Sequence, residues 1–237
     1  MDFNKSTKTK WILFCLLLFT PFLIESFVIA PITLTSEPLY IWGAVHWIFC
    51  YVAYGYACFF YIKWQKRIDN RIIIKFQKNE IKWFLLALLM GVVGKRIFDI
   101  ISVFIFSSTV LHINTPMIYR DIVGYIQIEP IWLGVGTFVM QYIYYIFEFT
   151  LIALIVDCAQ KTSMRIGLSQ KIPWGGIFLV LTWGLIHRYG IITPILRGEY
   201  EYSLRMILNC MLIGFAYMLP NKKPAYAFFA IMSWYWL

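Results

Sequence analysis

Seven apolar stretches, at about 11–30, 40–62, 83–106, 131–157, 173–189, 203–219 and 224–237, occupy most of the chain. A helix needs about 20 predominantly apolar residues to cross a hydrocarbon core about 30 Å thick; the last two or three stretches are short for this. Hydrophobic residues make up 61% of the sequence and charged residues only 14%. The mean hydropathy of +0.70 lies far outside the soluble globular range. The expected fold is all-α, a polytopic transmembrane helix bundle of about seven spans.

Lys and Arg collect in cytoplasmic loops of such proteins, so the loops give an independent test of the count. The N-terminal segment carries Lys5, Lys8 and Lys10, while the next loop, PITLTSEPLY, carries no cation. The loop 63–82 holds Lys63, Lys66, Arg67, Arg71, Lys75, Lys78 and Lys82, and the following one only Arg120, offset by Asp121 and Glu129. The alternation continues through Lys161, Arg165 and Lys171, then Arg188 and Arg197 with Glu199 and Glu201, then Lys222 and Lys223. A cytoplasmic N-terminus and an external C-terminus satisfy every loop. The net charge of +9 is thus a topological signal, and nucleic acid is not an expected partner. KWQKRIDNRIIIKFQKNEIKW reads either as an interfacial helix on anionic lipid head groups or as a solvated basic loop.

The basic-then-apolar N-terminus has a signal-like layout, but a proline follows the small-residue site in VIAP, so it reads as an uncleaved first span. Cys15, Cys50, Cys58, Cys158 and Cys210 show no CxxC spacing and read as packing residues. Residues 1–237 form one membrane domain, with N-terminal helices over 1–130 and a helical core over 131–237. The expected location is the plasma membrane of a bacterium.

The run MGVVGKRIFDIISVF places Lys95, Arg96 and Asp99 in the middle of an apolar span. Each such charge costs about 2.5–3.5 kcal/mol at a bilayer centre on insertion scales. At 1.5 Å rise per residue, Lys95, Glu25 and His187 lie about 18–21 Å from the cytoplasmic ends of their helices, and His46, Asp99 and Gln141 about 24 Å. Glu148 and Asn209 lie at roughly 14–15 Å. Five helices thus contribute to one level, which implies a polar chamber in the bundle interior or a charge network that locks packing. Lys95–Asp99 or Arg96–Asp99 neutralise locally, leaving one cation to seek Glu25 or Glu148. Glu148, alone among apolar residues in YIYYIFEFTLIALIV, is the best single candidate for an acid or base. Asp157, about 180° away and near the helix end, reads as an interfacial boundary residue. In KIPWGGIFLVLTWGLIHRYG, Gly175, Gly176 and Gly184 allow close helix approach, and Trp183 lies one turn beneath His187.

Glu148 in FEFTLIALI and, 39 residues on, Trp183 to His187 in WGLIH resemble two motifs of the CPBP (CAAX protease and bacteriocin-processing, also called Abi) membrane family. The usual pattern there is Glu-Glu-x-x-x-Arg, then Phe-x-x-x-His, then a later His-x-x-x-Asn or similar pair. SLRMILNCMLIGFAYML is similar to the family's Gly-bearing helix, so the resemblance covers roughly 131–237. It implies an intramembrane protease in which Glu148 activates water and His187 supports it, with Asn209 as a substitute donor. Phe149 stands in place of the second Glu, Ala153 in place of the Arg, and AYAFFAIMSWYWL has no His or Asn. The resemblance therefore implies a motif-degenerate member, akin to bacteriocin-immunity proteins, that acts on or binds a membrane-embedded peptide or protein partner.

Two other functions fit the sequence: a non-catalytic immunity or scaffold protein, and a small transporter or channel lined by Lys95, Arg96 and Asp99. The candidate site residues are Glu148 and His187 for catalysis, and Trp183, Asn209, Gln141, Lys95, Arg96, Asp99, Glu25 and His46 for binding. His46, His187 and Glu148 are possible zinc ligands by type alone, and their spacing does not support a site, so no metal or cofactor is expected. The loop charges predict that alkaline phosphatase fused after residue 36 is active and after residue 75 silent. The reverse pattern would invert the topology.

Overall fold

The computed structural model describes residues 5–33, 39–69, 78–106, 117–128, 130–186 and 191–236, and every regular element among them is helical. The first helix, α1 (Lys5–Ile24), runs through a π-helical segment (Glu25–Ile29) into α2 (Ala30–Thr33). Pro21 inside α1 and Pro31 just beyond the π segment each lack a backbone donor, and between them the helix widens. Then come α3 (Leu39–Asp69), α4 (Ile81–Phe106), α5 (Met117–Ile126), α6 (Ile131–Arg165) and α7 (Trp174–Leu179), the last continuing as a second π-helical segment (Val180–Gly184). The chain closes with α8 (Ile192–Leu196), α9 (Tyr200–Tyr217) and α10 (Pro224–Trp236).

Among the described residues, three helical stretches are long and apolar enough to cross a membrane, Thr9–Ile32, Trp42–Lys66 and Ile131–Arg165. Exposed Leu13, Leu17, Phe49 and Phe59 on the first two, with Leu85 and Phe104 on α4, form the outer faces expected of helices whose solvent on one side is lipid.

The bundle is built around α6, which packs against α1, α3, α5, α7, α9 and α10. From Glu148 to Gln160 every α6 residue except Thr150 is buried. The expected span ended at 157, but the helix runs on to Arg165. The extension persists because it is packed rather than solvated. Lys161 reaches back one turn to Asp157, Thr162 donates to the Cys158 carbonyl, and the Arg165 guanidinium lies 3.8 Å over the Trp11 ring. Trp64, near the end of α3, closes this layer by stacking on Phe14 at 4.1 Å.

On the other side of the bundle, α4 packs on α9 and α10, and makes no helix contact with α1, α3 or α6 among the described residues. The short helix α7 is pressed between α6 and α9. Gln160 fixes its start by donating to the Ile172 carbonyl and accepting from the Gly175 N–H, both at 3.0 Å. Gly176 of α7 faces Gly214 of α9 at backbone distance. A Cβ at Gly214 would stand 2.6 Å from the Gly176 Cα and 2.7 Å from its nitrogen. Because backbone rather than a side-chain tip blocks that space, Gly214→Ala is expected to destabilise the protein by about 1–3 kcal/mol. A thermal unfolding midpoint in detergent equal to that of the unsubstituted protein would contradict this.

Candidate functional site

A polar cluster lies where the first π segment, α3, α6 and the second π segment converge. Glu25 opens the first π segment and holds its carboxylate toward α3 and α6. Oε1 stands 3.2 Å from His46 Nε2 and accepts from the Tyr144 hydroxyl at 2.9 Å; Oε2 accepts from the Tyr54 hydroxyl. His46, Cys50 and Tyr54 follow one another at four-residue steps, so α3 presents all three on one face. Cys50 Sγ lies 3.6 Å from the same imidazole nitrogen.

One turn beyond Tyr144 on α6 is Glu148, 3% exposed, which Tyr144 also neighbours. Its Oε1 accepts from Trp183 Nε1 at 3.3 Å. Trp183 belongs to the second π segment, and Phe22 of α1 fills the space between its ring and Tyr54. Glu25, His46, Cys50, Tyr54, Tyr144, Glu148 and Trp183 thus form one connected group drawn from four segments.

The other candidate residues stand apart from this group. Gln141 sits two turns above Glu148 on α6 and donates to the Tyr145 hydroxyl at 2.6 Å rather than to either carboxylate. Asn209 of α9 is 1% exposed, beside Tyr235 of α10, and its amide makes no close hydrogen bond among the described residues. His187 lies outside the described residues, so of the pair Glu148 and WGLIH it is the Trp183 contact that the structure reaches.

Lys95, Arg96 and Asp99 do not join the cluster. Counting residues along the helices puts them at a similar level, but α4 packs on α9 and α10 and not on α1, α3 or α6, so the single chamber expected from depth alone is two separate polar regions among the described residues. Asp99 Oδ1 is bound by Arg205 Nη2 of α9 at 2.5 Å, and the half-exposed Arg96 lies 3.9 Å from Oδ2. The expectation that Glu25 or Glu148 neutralises a cation of α4 gives way to these contacts: the cross-helix partner of Asp99 is Arg205, and Glu25 faces His46 instead. Sequence reading missed Arg205 because it stands close to the external end of a predicted span, where a cation draws no notice.

Asp157 also departs from expectation. It is 0% exposed and not a boundary residue. Oδ1 accepts from Tyr217 of α9 at 2.6 Å, and Oδ2 accepts from Tyr61 of α3 at 2.5 Å and Lys161 at 2.8 Å, with Gln65 at 3.4 Å. Cys50, read as packing, is part of the polar cluster; the signal for it is the four-residue spacing from His46 in HWIFC.

Compared with protein-family models, curated proteins and solved structures, the chain matches none.

Removing Asp157 would strand two buried tyrosyl hydroxyls and unpair the partly exposed Lys161 ammonium, so Asp157→Ala is expected to cost about 2–5 kcal/mol. Asp157→Asn keeps an acceptor and is expected to cost less. Unfolding midpoints in detergent measure both, and an Asp157→Ala protein as stable as Asp157→Asn would refute the network.

Proposed function

We propose that this chain is a multi-pass membrane protein of about seven spans with a cytoplasmic N-terminus, set in the plasma membrane of a bacterium. In this reading it is a motif-degenerate relative of the CPBP intramembrane proteases, and it binds and acts on a membrane-embedded peptide at Glu148. The observation that carries the reading is the surroundings of Glu148: a buried carboxylate on the central helix, touching the Trp183 of the second motif. Next to it stand a second carboxylate and an imidazole that the family motifs do not include, Glu25 and His46.

The division of work rests on the groups present. Glu148 is the base that takes a proton from water as the water oxygen attacks the peptide carbonyl, and it returns that proton to the amide nitrogen as the C–N bond breaks and the amine leaves. Tyr144 donates its single hydroxyl hydrogen bond to Glu25 before substrate binds, and in this reading it turns that proton to the oxyanion as the oxyanion forms. The His-x-x-x-Asn pair is missing from α10, so transition-state donors are few, and turnover slower than in a full-motif enzyme by about 10²–10³ per lost donor is the physical consequence. The Arg205–Asp99 pair, closed across α4 and α9, favours a packing lock there over a conduction path.

The test is cleavage of a fluorogenic transmembrane-peptide library in proteoliposomes, with photo-crosslinking of the same peptides. Glu148→Gln is expected to lower cleavage by about 10²–10⁴-fold, and Tyr144→Phe by about 10²-fold. Peptides that are neither cut nor crosslinked near Trp183, or cleavage unchanged in Glu148→Gln, would refute the proposal.

A further inference from the structure

Glu25, His46 and Cys50 each offer one donor atom of different chemistry, a carboxylate oxygen, a ring nitrogen and a thiol sulfur, and the three lie within 4.8 Å of one another. Tetrahedral zinc with Zn–O and Zn–N near 2.0 Å and Zn–S near 2.3 Å sets its ligand atoms about 3.3 Å apart for N and O and about 3.6 Å apart for N and S. The distances in the cluster are 3.2 Å and 3.6 Å. We propose that Glu25, His46 and Cys50 form a binding site for a zinc-class divalent cation. The site stands on its own geometry and does not depend on hydrolysis at Glu148.

The donor set selects the metal. A carboxylate, an imidazole and a thiolate in a tetrahedral arrangement suit zinc, whereas calcium and magnesium take six or more oxygens. His46 and Cys50 stand on one face of a single α3 turn, and Glu25 approaches from the π segment, so ligands from two helices converge without a loop. Glu25 is aimed by two phenols, Tyr54 on Oε2 and Tyr144 on Oε1, the outer support that ligating carboxylates need. Three protein ligands leave a fourth position for water or substrate. Binding releases the thiol proton and takes neutral imidazole through Nε2. The filled site then balances a dipositive ion against one carboxylate and one thiolate, which leaves no net charge in an apolar bundle.

The test uses the full chain in lipid nanodiscs, stripped with chelator and equilibrated with zinc chloride, or with cobalt chloride as a spectroscopic substitute. About one zinc per chain is expected by elemental analysis, and the cobalt form is expected to show a thiolate-to-metal charge-transfer band with tetrahedral visible absorption. His46→Ala and Cys50→Ala are expected to lower zinc affinity by at least tenfold, and Tyr54→Phe by about 10–100-fold. Cys58→Ala, which alters another buried thiol of α3, is expected to bind as the unsubstituted protein does. The spectrum of the unsubstituted protein decides the matter even where a variant fails to fold. A cobalt spectrum without a sulfur band, or zinc content no higher than in the His46→Ala/Cys50→Ala protein, would overturn the site. Zinc retained in Glu148→Gln while peptide cleavage is lost would separate this inference from the hydrolytic one.

Discussion

Asp157 accepts hydrogen bonds from α3 and α9 and from the next turn of its own helix, and the packing of α6 turns on that one carboxylate. In lipid there is little hydrophobic force between helices, so polar contacts and close packing select which faces meet. An acid inside a membrane helix costs about 2.5–3.5 kcal/mol, and interhelical hydrogen bonds in a bilayer average about 0.6 kcal/mol each. Three of the donors, Tyr61, Gln65 and Tyr217, come from other helices and recover roughly 1.8 kcal/mol, and the Lys161 pair within α6 adds a few tenths, which leaves the group near break-even against an apolar side chain. Its value is specificity. Tyr61, Gln65 and Tyr217 find this acceptor in one register of α3, α6 and α9, and a slipped helix would leave all of them buried and unbonded.

That register places the other carboxylate of α6. Glu148 lies nine residues earlier, about 14 Å along the axis and on the opposite face. With Asp157 locked toward Tyr61 and Tyr217, Glu148 is turned toward Trp183 and the Glu25 cluster. The same helix thus carries two buried carboxylates on opposite faces, one tied to α3 and α9 and the other facing the two π segments. The α4 charges follow the logic of Asp157: Asp99 meets Arg205 at 2.5 Å and joins α4 to α9, away from Glu148.

Much of this was legible in the sequence, and the parts that were not share one cause. The apolar stretches matched helices, and counting residues along them put Glu25 and His46 near one level with Glu148 lower, whereas the structure gathers all three into one cluster. Counting gives depth but not direction around the bundle. Lys95, Arg96 and Asp99 have the right depth and the wrong side, because α4 packs against α9 and α10. Asp157 was misread through a boundary: a helix that stops at 157 exposes its last residue, while one that continues to Arg165 buries it. Cys50 was hidden by its type, since a cysteine in a membrane helix looks like any small apolar residue until a histidine one turn away faces it. His187, on which the family resemblance leans most, lies outside the described residues, so that half of the motif rests on sequence.

The two π-helical segments bear on why the cluster exists at all. A π turn inserts one residue into the helical ladder and rotates the later residues by about 100° relative to the earlier ones. The first segment begins at Glu25, after the exposed Leu13, Leu16 and Leu17 of α1, and the carboxylate at its opening residue reaches α3 and α6. The second segment holds Trp183, the fourth of its five residues. A regular α-helix has better hydrogen-bond geometry, so packing alone gives no reason to interrupt two helices at the residues that contact Tyr144 and Glu148. Irregular backbone persists where the surrounding structure over-determines it, and it concentrates at sites that act. Two interruptions that place side chains in the same small volume are the physical ground for proposing the Glu25–His46–Glu148 cluster, rather than the Asp99 and Asp157 pairs, as the functional site.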